Sequence, residues 1–267
     1  MNDKIHISLI QTDLVWENEQ ANLNRFDRLL KEVTPETEII ILPEMFATGF
    51  TMNVQKFNKP VGYQSFEWMK QKSSELNKII VGSLLTEDKG KYFNRMYWVR
   101  PDGSFEYYDK RHLFHMGGEH KVMTAGNRKV FVSYKNRRFQ LQICYDLRFP
   151  VWSKNNFDET NGSYDYDAII YIANWPESRK TAYMSLLKAR AIENQAFVIW
   201  VNRIGVDGKG IFHSGDSQII DAEGIVLTSA KSGQEKILNY SLDFSKLDSL
   251  RKRFNVGLDW DKFQILT

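Results

Sequence analysis

Three short runs in this chain are apolar without interruption: Ile39-Ile40-Ile41-Leu42, Ala168-Ile169-Ile170-Tyr171-Ile172-Ala173 and Phe197-Val198-Ile199-Trp200-Val201. A strand with one wet face alternates apolar and polar residues, so a continuous β-branched run must be covered on both sides. The cover is present as segments of helical periodicity. Asn22 to Lys31 places Leu23, Phe26, Leu29 and Leu30 on one face, Phe66 to Leu76 reads as a second helix, and Thr181 to Asn194 as a third. Doubly buried strands interleaved with helices restrict the chain to the α/β class.

The remaining strands read as hairpins or alternating segments. Ile5 to Gln11 alternates, and Ile79-Ile80-Val81-Gly82 follows the second helix. Tyr92 to Val99 and Ser104 to Tyr108 flank Pro101-Asp102-Gly103, and Val130–Tyr134 joins Phe139–Cys144 across Lys135-Asn136-Arg137. Asp216 to Ile220 and Ile225 to Thr228 flank Asp221-Ala222-Glu223-Gly224, and Ile237 to Leu242 closes the series. Roughly a dozen strands and about four helices fit two sheets with helices outside them. The polar stretch Asn155 to Tyr166 reads as a surface excursion, and without a repeat or a linker residues 1–267 read as one domain.

Composition narrows the functions. Lys+Arg 36 against Asp+Glu 33 gives 36 − 33 = +3, too even for a dedicated nucleic-acid binder. No apolar run approaches the ~20 residues that span a bilayer, and no secretory signal is visible at the start. The single cysteine excludes an intramolecular disulfide and zinc sites built on two to four thiolates. It fits a reducing compartment, so a cytoplasmic location is expected.

Three loops follow strands and carry reactive groups. Leu42-Pro43-Glu44-Met45-Phe46 puts a carboxylate directly after an all-apolar strand. Alone, such a glutamate is usually a cap or an ion-pair partner. Tyr108-Asp109-Lys110-Arg111-His112-Leu113-Phe114, running on through Gly118-Glu119 to Gly126, puts cations at a strand end, where a solvated charge is the ordinary reading. In Gln142-Ile143-Cys144-Tyr145-Asp146-Leu147-Arg148-Phe149-Pro150 the cysteine ends a strand and Pro150 is suited to open a helix, the shape of a nucleophile elbow. A lone buried cysteine is ordinarily an inert small hydrophobe. Together, however, the loops supply what a thiol nucleophile needs: Glu44 to take the proton, Lys110 as a cation, and the backbone N–H of Tyr145 for an oxyanion.

In order and spacing, Leu42-Pro43-Glu44, Lys110-Arg111-His112-Leu113-Phe114 and Cys144 to Pro150 resemble the three signature blocks of the nitrilase superfamily of carbon–nitrogen hydrolases. The similarity continues through Ala173-Asn174-Trp175-Pro176 and Ala189 to Gln195 and covers nearly the whole chain. Within the superfamily the omega-amidase branch is the nearest likeness. That narrower resemblance rests on Lys110 to Phe114, on Glu119 seven residues before Gly126, and on Gly205-Val206-Asp207-Gly208-Lys209-Gly210. The resemblance implies a four-layer αββα sandwich that pairs sheet-to-sheet as a homodimer. It implies Glu44 as base, Lys110 as cation and oxyanion stabiliser, Cys144 as nucleophile, and Glu119 as a second acid that positions Lys110 or the attacking water. It implies no cofactor, and a short ω-amide of a dicarboxylic acid as substrate.

Competing readings are weaker. His112, His115 and His120 match no zinc spacing, and no carboxylate pattern completes a metal site. A papain-like Cys–His pair lacks the sequence context around Cys144. A non-catalytic scaffold is disfavoured because no member of the three blocks is missing. For gripping a substrate carboxylate the basic candidates are Arg148, Arg179 and Lys121, with Phe46, Phe114 and Trp175 as aromatic walls. The Thr181–Asn194 helix carries Met184, Leu187 and Ala191 on one face, suited either to its own sheet or to a dimer partner.

Overall fold

The run Ile39–Ile41 forms a strand, β2, whose side chains part into two cores: Ile39 and Ile41 enter one and Ile40 the other. In this computed structural model, which describes residues 3–265, β2 lies between β1 (Lys4–Gln11) and β3 (Ile79–Asp88), both parallel to it. The strands β4 (Lys91–Val99) and β5 (Phe105–Asp109) extend this sheet antiparallel on one side. On the other side β16 (Lys236–Asp243) pairs antiparallel with β1. The order is β16-β1-β2-β3-β4-β5.

The two longer apolar runs build a second sheet. Its members are β6 (Phe131–Tyr134), β7 (Arg137–Ile143), β10 (Ala168–Ala173), β11 (Phe197–Asn202), β14 (Gln218–Ile220) and β15 (Val226–Ser229), in the order β15-β14-β11-β10-β7-β6. Here β7, β10 and β11 run parallel at the centre. Two small hairpins stand apart: β8 (Phe157–Asp158) with β9 (Ser163–Tyr164), inside the polar excursion, and β12 (Ile204–Val206) with β13 (Phe212–Ser214).

The sheets pack face to face. Ile7, Ile41 and Trp98 of the first share a core with Phe139, Leu141, Ile170 and Ile199 of the second, and the Trp98 and Phe139 rings lie 5.5 Å apart. Burying each such side chain is worth about 1.5–3 kcal/mol. Helices α1 (Glu19–Leu30) and α2 (Tyr63–Leu76) cover the outside of the first sheet, with Phe26, Trp68 and Met69 over Ile40 and Ile80. On the outside of the second, α3 (Pro150–Ser153) lies against Gln142 and α4 (Lys180–Asn194) against β11, with Tyr183 stacked 5.2 Å from Trp200. This is the expected αββα sandwich. No helix among the described residues is long and apolar enough to cross a membrane.

Details depart from the sequence reading. Among the described residues there are sixteen strands and five α-helices, and the fifth, α5 (Phe244–Arg253), was not anticipated. Its Phe244, Leu247 and Arg251 form a buried face at helical spacing, and the Asp243 side chain caps it by accepting from Ser245 N at 3.2 Å. The β6–β7 turn is only Lys135-Asn136, with φ of 48° and 62°, the double left-handed geometry of a two-residue hairpin, so Arg137 already belongs to the strand. In α4, Leu187 and Ala191 are buried against their own sheet and Met184 is half-buried, while Ile192 on the outer side is 53% exposed.

Candidate active site

Side chains at the carboxyl ends of parallel strands converge on one edge of a sheet, where α/β proteins place their ligands. Here two sheets contribute. Glu44 follows β2 and Lys110 follows β5 in the first; Cys144 follows β7 and Asn174 follows β10 in the second. The layers bring them together. Lys110 Nζ lies 2.9 Å from Glu44 Oε1 and 3.0 Å from Glu119 Oε2, and all three side chains are fully buried. Cys144 sits in the first turn after β7 with φ of 46°, a left-handed conformation that projects the thiol out of the chain's path. Pro150 follows as the first residue of α3.

Two residues that the sequence reading gave no role complete this set. Asn94, a polar interruption in the apolar strand β4, donates from Nδ2 to Glu44 Oε1 at 2.8 Å and to Glu119 Oε1 at 3.1 Å. Asn174 donates from its backbone N to Glu44 Oε2 at 2.7 Å and from Nδ2 to the Glu44 carbonyl at 2.5 Å. Glu119 Oε2 also accepts from Phe114 N at 2.6 Å. A buried polar residue inside an apolar strand was the legible signal for Asn94. Asn174 lay inside a quoted motif, but its bond to Glu44 is a contact between sheets that one strand cannot announce.

Electrostatics follows from burial and proximity. Burial opposes the Lys110 charge, but the Glu119 and Glu44 carboxylates outweigh it and raise this amine above its ordinary value. Burial, joined by the Glu44 charge, pushes Glu119 up, although Lys110 pulls against it. Burial likewise drives the Cys144 thiol well above its usual range; Glu44 adds to the shift and Lys110 opposes it. Burial and the nearby Glu44 carboxylate therefore favour a protonated sulfur at rest. Such a thiol is ionised as it reacts, not before.

Above the thiol opens a cleft of about 370 Å³. Phe114, Tyr145, Arg148, Trp175 and Arg179 all line it. The Arg148 guanidinium lies 5.1 Å from the Trp175 ring centre and that of Arg179 5.1 Å from Phe114, so aromatic faces hold both cations at the cleft. Phe46 is not a wall. It is fully buried in the helix layer, 5.2 Å from Phe26 and 5.7 Å from Trp68, because the chain reverses at Met45 (φ 44°). Phe50 takes that place, with its ring centre 5.0 Å from Lys110 Nζ. Lys121 is exposed and outside the cleft. The β12–β13 hairpin, whose Gly205 to Gly210 segment entered the sequence reading only as a point of likeness and not as a hairpin or a wall, adds Lys209, Ile211 and His213 to the lining. Burial and the nearby Arg203 charge lower His213 to about 4, so it is neutral near pH 7. The three histidines at 112, 115 and 120 have other partners: His112 Nδ1 lies 2.8 Å from Asp146, and His115 stacks on His120 at 4.0 Å.

An αββα sandwich with a thiol, an ammonium and two carboxylates at one shared edge holds the groups that hydrolysis through a thiol requires. Residues 6–252 match the carbon–nitrogen hydrolase family. The omega-amidase YafV of Yersinia enterocolitica is 41% identical over 262 residues, which cover 98% of this chain and 99% of that one. The 2-oxoglutaramate amidase of Bacillus subtilis is 29% identical, over 94% of this chain and 95% of that one. Among solved structures, a CN-hydrolase superfamily protein from Xanthomonas campestris, with an arsenic adduct in its active site, superposes with a TM-score of 0.93 at 38% identity, covering 98% of this chain and 99% of that one. The chain belongs to the carbon–nitrogen hydrolase family.

Proposed function

We propose that this enzyme is an omega-amidase that hydrolyses the terminal amide of short dicarboxylic acid monoamides, such as 2-oxoglutaramate or succinamate, to the dicarboxylate and ammonia. One observation carries the substrate class: Arg148 and Arg179 line the same cleft as the Cys144 thiol, and a substrate carboxylate needs such donors. The likeness to the omega-amidase of Yersinia enterocolitica and the 2-oxoglutaramate amidase of Bacillus subtilis supports the same reading.

The chemistry proceeds as follows. Cys144 Sγ attacks the amide carbon while its proton passes to Glu44, whose charge acts directly on the thiol. The developing oxyanion is stabilised by the Lys110 ammonium and the Tyr145 backbone N–H. The protonated Glu44 hands its proton to the departing nitrogen, ammonia leaves, and the acyl group stays on sulfur as a thioester. Glu44, again a carboxylate, draws a proton from water, which attacks the thioester and releases the acid and the thiol. Glu119, hydrogen-bonded to Lys110, holds the ammonium against the reacting centre.

A comparison of 2-oxoglutaramate and succinamate with butyramide, a neutral amide of similar length, tests the substrate class. Loss of a paired carboxylate contact costs about 1.5–3 kcal/mol, roughly ten- to a hundredfold in kcat/KM. The acids are expected to lead by that factor, and Arg148→Ala and Arg179→Ala together are expected to abolish the lead. Equal rates for acid and neutral amides, or faster release of ammonia from a nitrile or an N-carbamoyl amino acid, would refute the substrate class and leave the hydrolase intact.

We also infer a homodimer and a cytoplasmic setting. The outward Ile192 on α4 and Val151 on α3 are 53% and 52% exposed, apolar area on the outer layer that a second copy would cover. The lone thiol must stay reduced to act, which suits the cytoplasm. Sedimentation at micromolar concentration is expected to give twice the chain mass of 31.3 kDa; a species of single-chain mass would refute the dimer.

A further inference from the structure

The reacting groups straddle two sheets, and among the described residues no strand pairing joins one sheet to the other. Lys110 belongs to the first and Cys144 to the second, so their separation depends on side chains that cross the gap. One crossing is the Glu44–Asn174 pair described above. Another lies outside the reacting set. It is the carboxylate of Asp146, fully buried two residues after the nucleophile.

Asp146 receives donors from both strand ends. Its Oδ2 accepts from Ile143 N at 3.0 Å, next to Cys144, and from the Tyr108 hydroxyl at 2.8 Å, two residues before Lys110. Its Oδ1 accepts from His112 N at 2.9 Å, two residues after Lys110, and lies 2.8 Å from His112 Nδ1. The Tyr108 hydroxyl in turn accepts from Arg111 N at 3.1 Å and from Trp152 Nε1 at 3.0 Å. Lys110 is thus bracketed on both sides by groups tied to one carboxylate, and the same carboxylate fixes the backbone that launches the strained Cys144. The His112 ring stacks on Phe149 at 3.7 Å, which keeps the imidazole aligned with Asp146.

We propose that Asp146 is a positioning residue, which sets the distance between the Cys144 thiol and the Lys110 ammonium by pinning both strand ends to one carboxylate, with His112 as its outer partner. Both oxygens are filled by donors from the two elements, so no single loop can shift without breaking a buried, charge-assisted hydrogen bond. Asp146 touches neither substrate nor sulfur in this account. It acts through the placement of Lys110, and the inference rests on the proposed pairing of Lys110 with the thiol.

The test compares Asp146→Asn, His112→Ala and His112→Asn with Lys110→Ala, recording kcat, KM and the pH profile of Cys144 alkylation by iodoacetamide. A displacement on the order of an ångström costs about a hundredfold in a positioned reaction. D146N is therefore expected to lower kcat by about ten- to a hundredfold, with KM little changed, and to move the alkylation profile to higher pH as the thiolate loses its cation. H112A is expected to move both readouts in the same direction by less. H112N, which keeps an N–H donor at the ring-nitrogen position, restores most of that loss. If D146N does not fold, the H112A–H112N difference in the alkylation profile decides alone. A folded D146N with the wild-type alkylation profile would overturn the proposal, as would identical profiles for the two His112 variants. An unshifted profile in Lys110→Ala would instead overturn the pairing of Lys110 with the thiol, so the two failures are distinguishable.

Discussion

Cys144→Ser is expected to fold as the parent does and to lose at least about a thousandfold in kcat, the scale on which removal of a nucleophile disables a covalent hydrolase. The hydroxyl is smaller than the thiol and leaves the turn after β7 undisturbed. Its proton, however, is far harder to remove, and this site does not ionise even a thiol at rest. Burial and the Glu44 charge hold the Cys144 proton on. Lys110 opposes them, and a serine inherits the same disfavoured ionisation from a worse starting value. Ammonia release from 2-oxoglutaramate, read beside the melting temperature, checks this. An active serine variant of unchanged stability would show that the sulfur does not carry the reaction.

Lys110→Ala is expected to combine a catalytic loss, from the proposed oxyanion contact, with a structural one. Removing a single oxyanion donor from a dry site costs about 10²–10³ in kcat. The same substitution strips the one cation from between Glu44 and Glu119, which share Asn94 Nδ2 as well as the ammonium. Breaking a buried ion pair from one side costs about 3–5 kcal/mol, because the surviving charge is left uncompensated. The protein can relieve this by holding a proton on one carboxylate, raising its folded-state pKa above the unfolded value. Such a group supports folding at low pH and loses that support as the pH rises through its folded pKa. The stability deficit of Lys110→Ala is therefore expected to be smaller near pH 5 than near pH 8, and denaturant melts at the two values measure it. A deficit that grows on acidification would contradict the two-carboxylate account of the site.

Much of this was legible because it is periodic or consecutive. The uninterrupted runs at residues 39–42, 168–173 and 197–201 had to be covered on both faces, and that requirement led to two sheets between helix layers. Glu44, Lys110 and Cys144 could be picked out because each stands directly after a strand. What stayed hidden depends on which residues face one another across the molecule. Phe46 follows Glu44 by two positions and was read as a wall of the cleft; the left-handed turn at Met45 sends it into the helix layer instead. Phe50 could not be assigned in its place, because a cation–aromatic contact is made by folding rather than by spacing. The contacts of Asn174 and Asp146 were hidden for the same reason. Each joins segments distant in sequence, with Asn174 and Glu44 130 residues apart. The short strands of the β12–β13 hairpin show no run of alternation long enough to read.

A thioester on Cys144 is visible to mass spectrometry of the intact enzyme during turnover of a slow ω-amide substrate. The expected result is a protein heavier by the mass of the substrate less ammonia, with the added group on the peptide that contains Cys144 and absent from Cys144→Ser. Turnover with no adduct under acid quench, or an adduct on another residue, would contradict it.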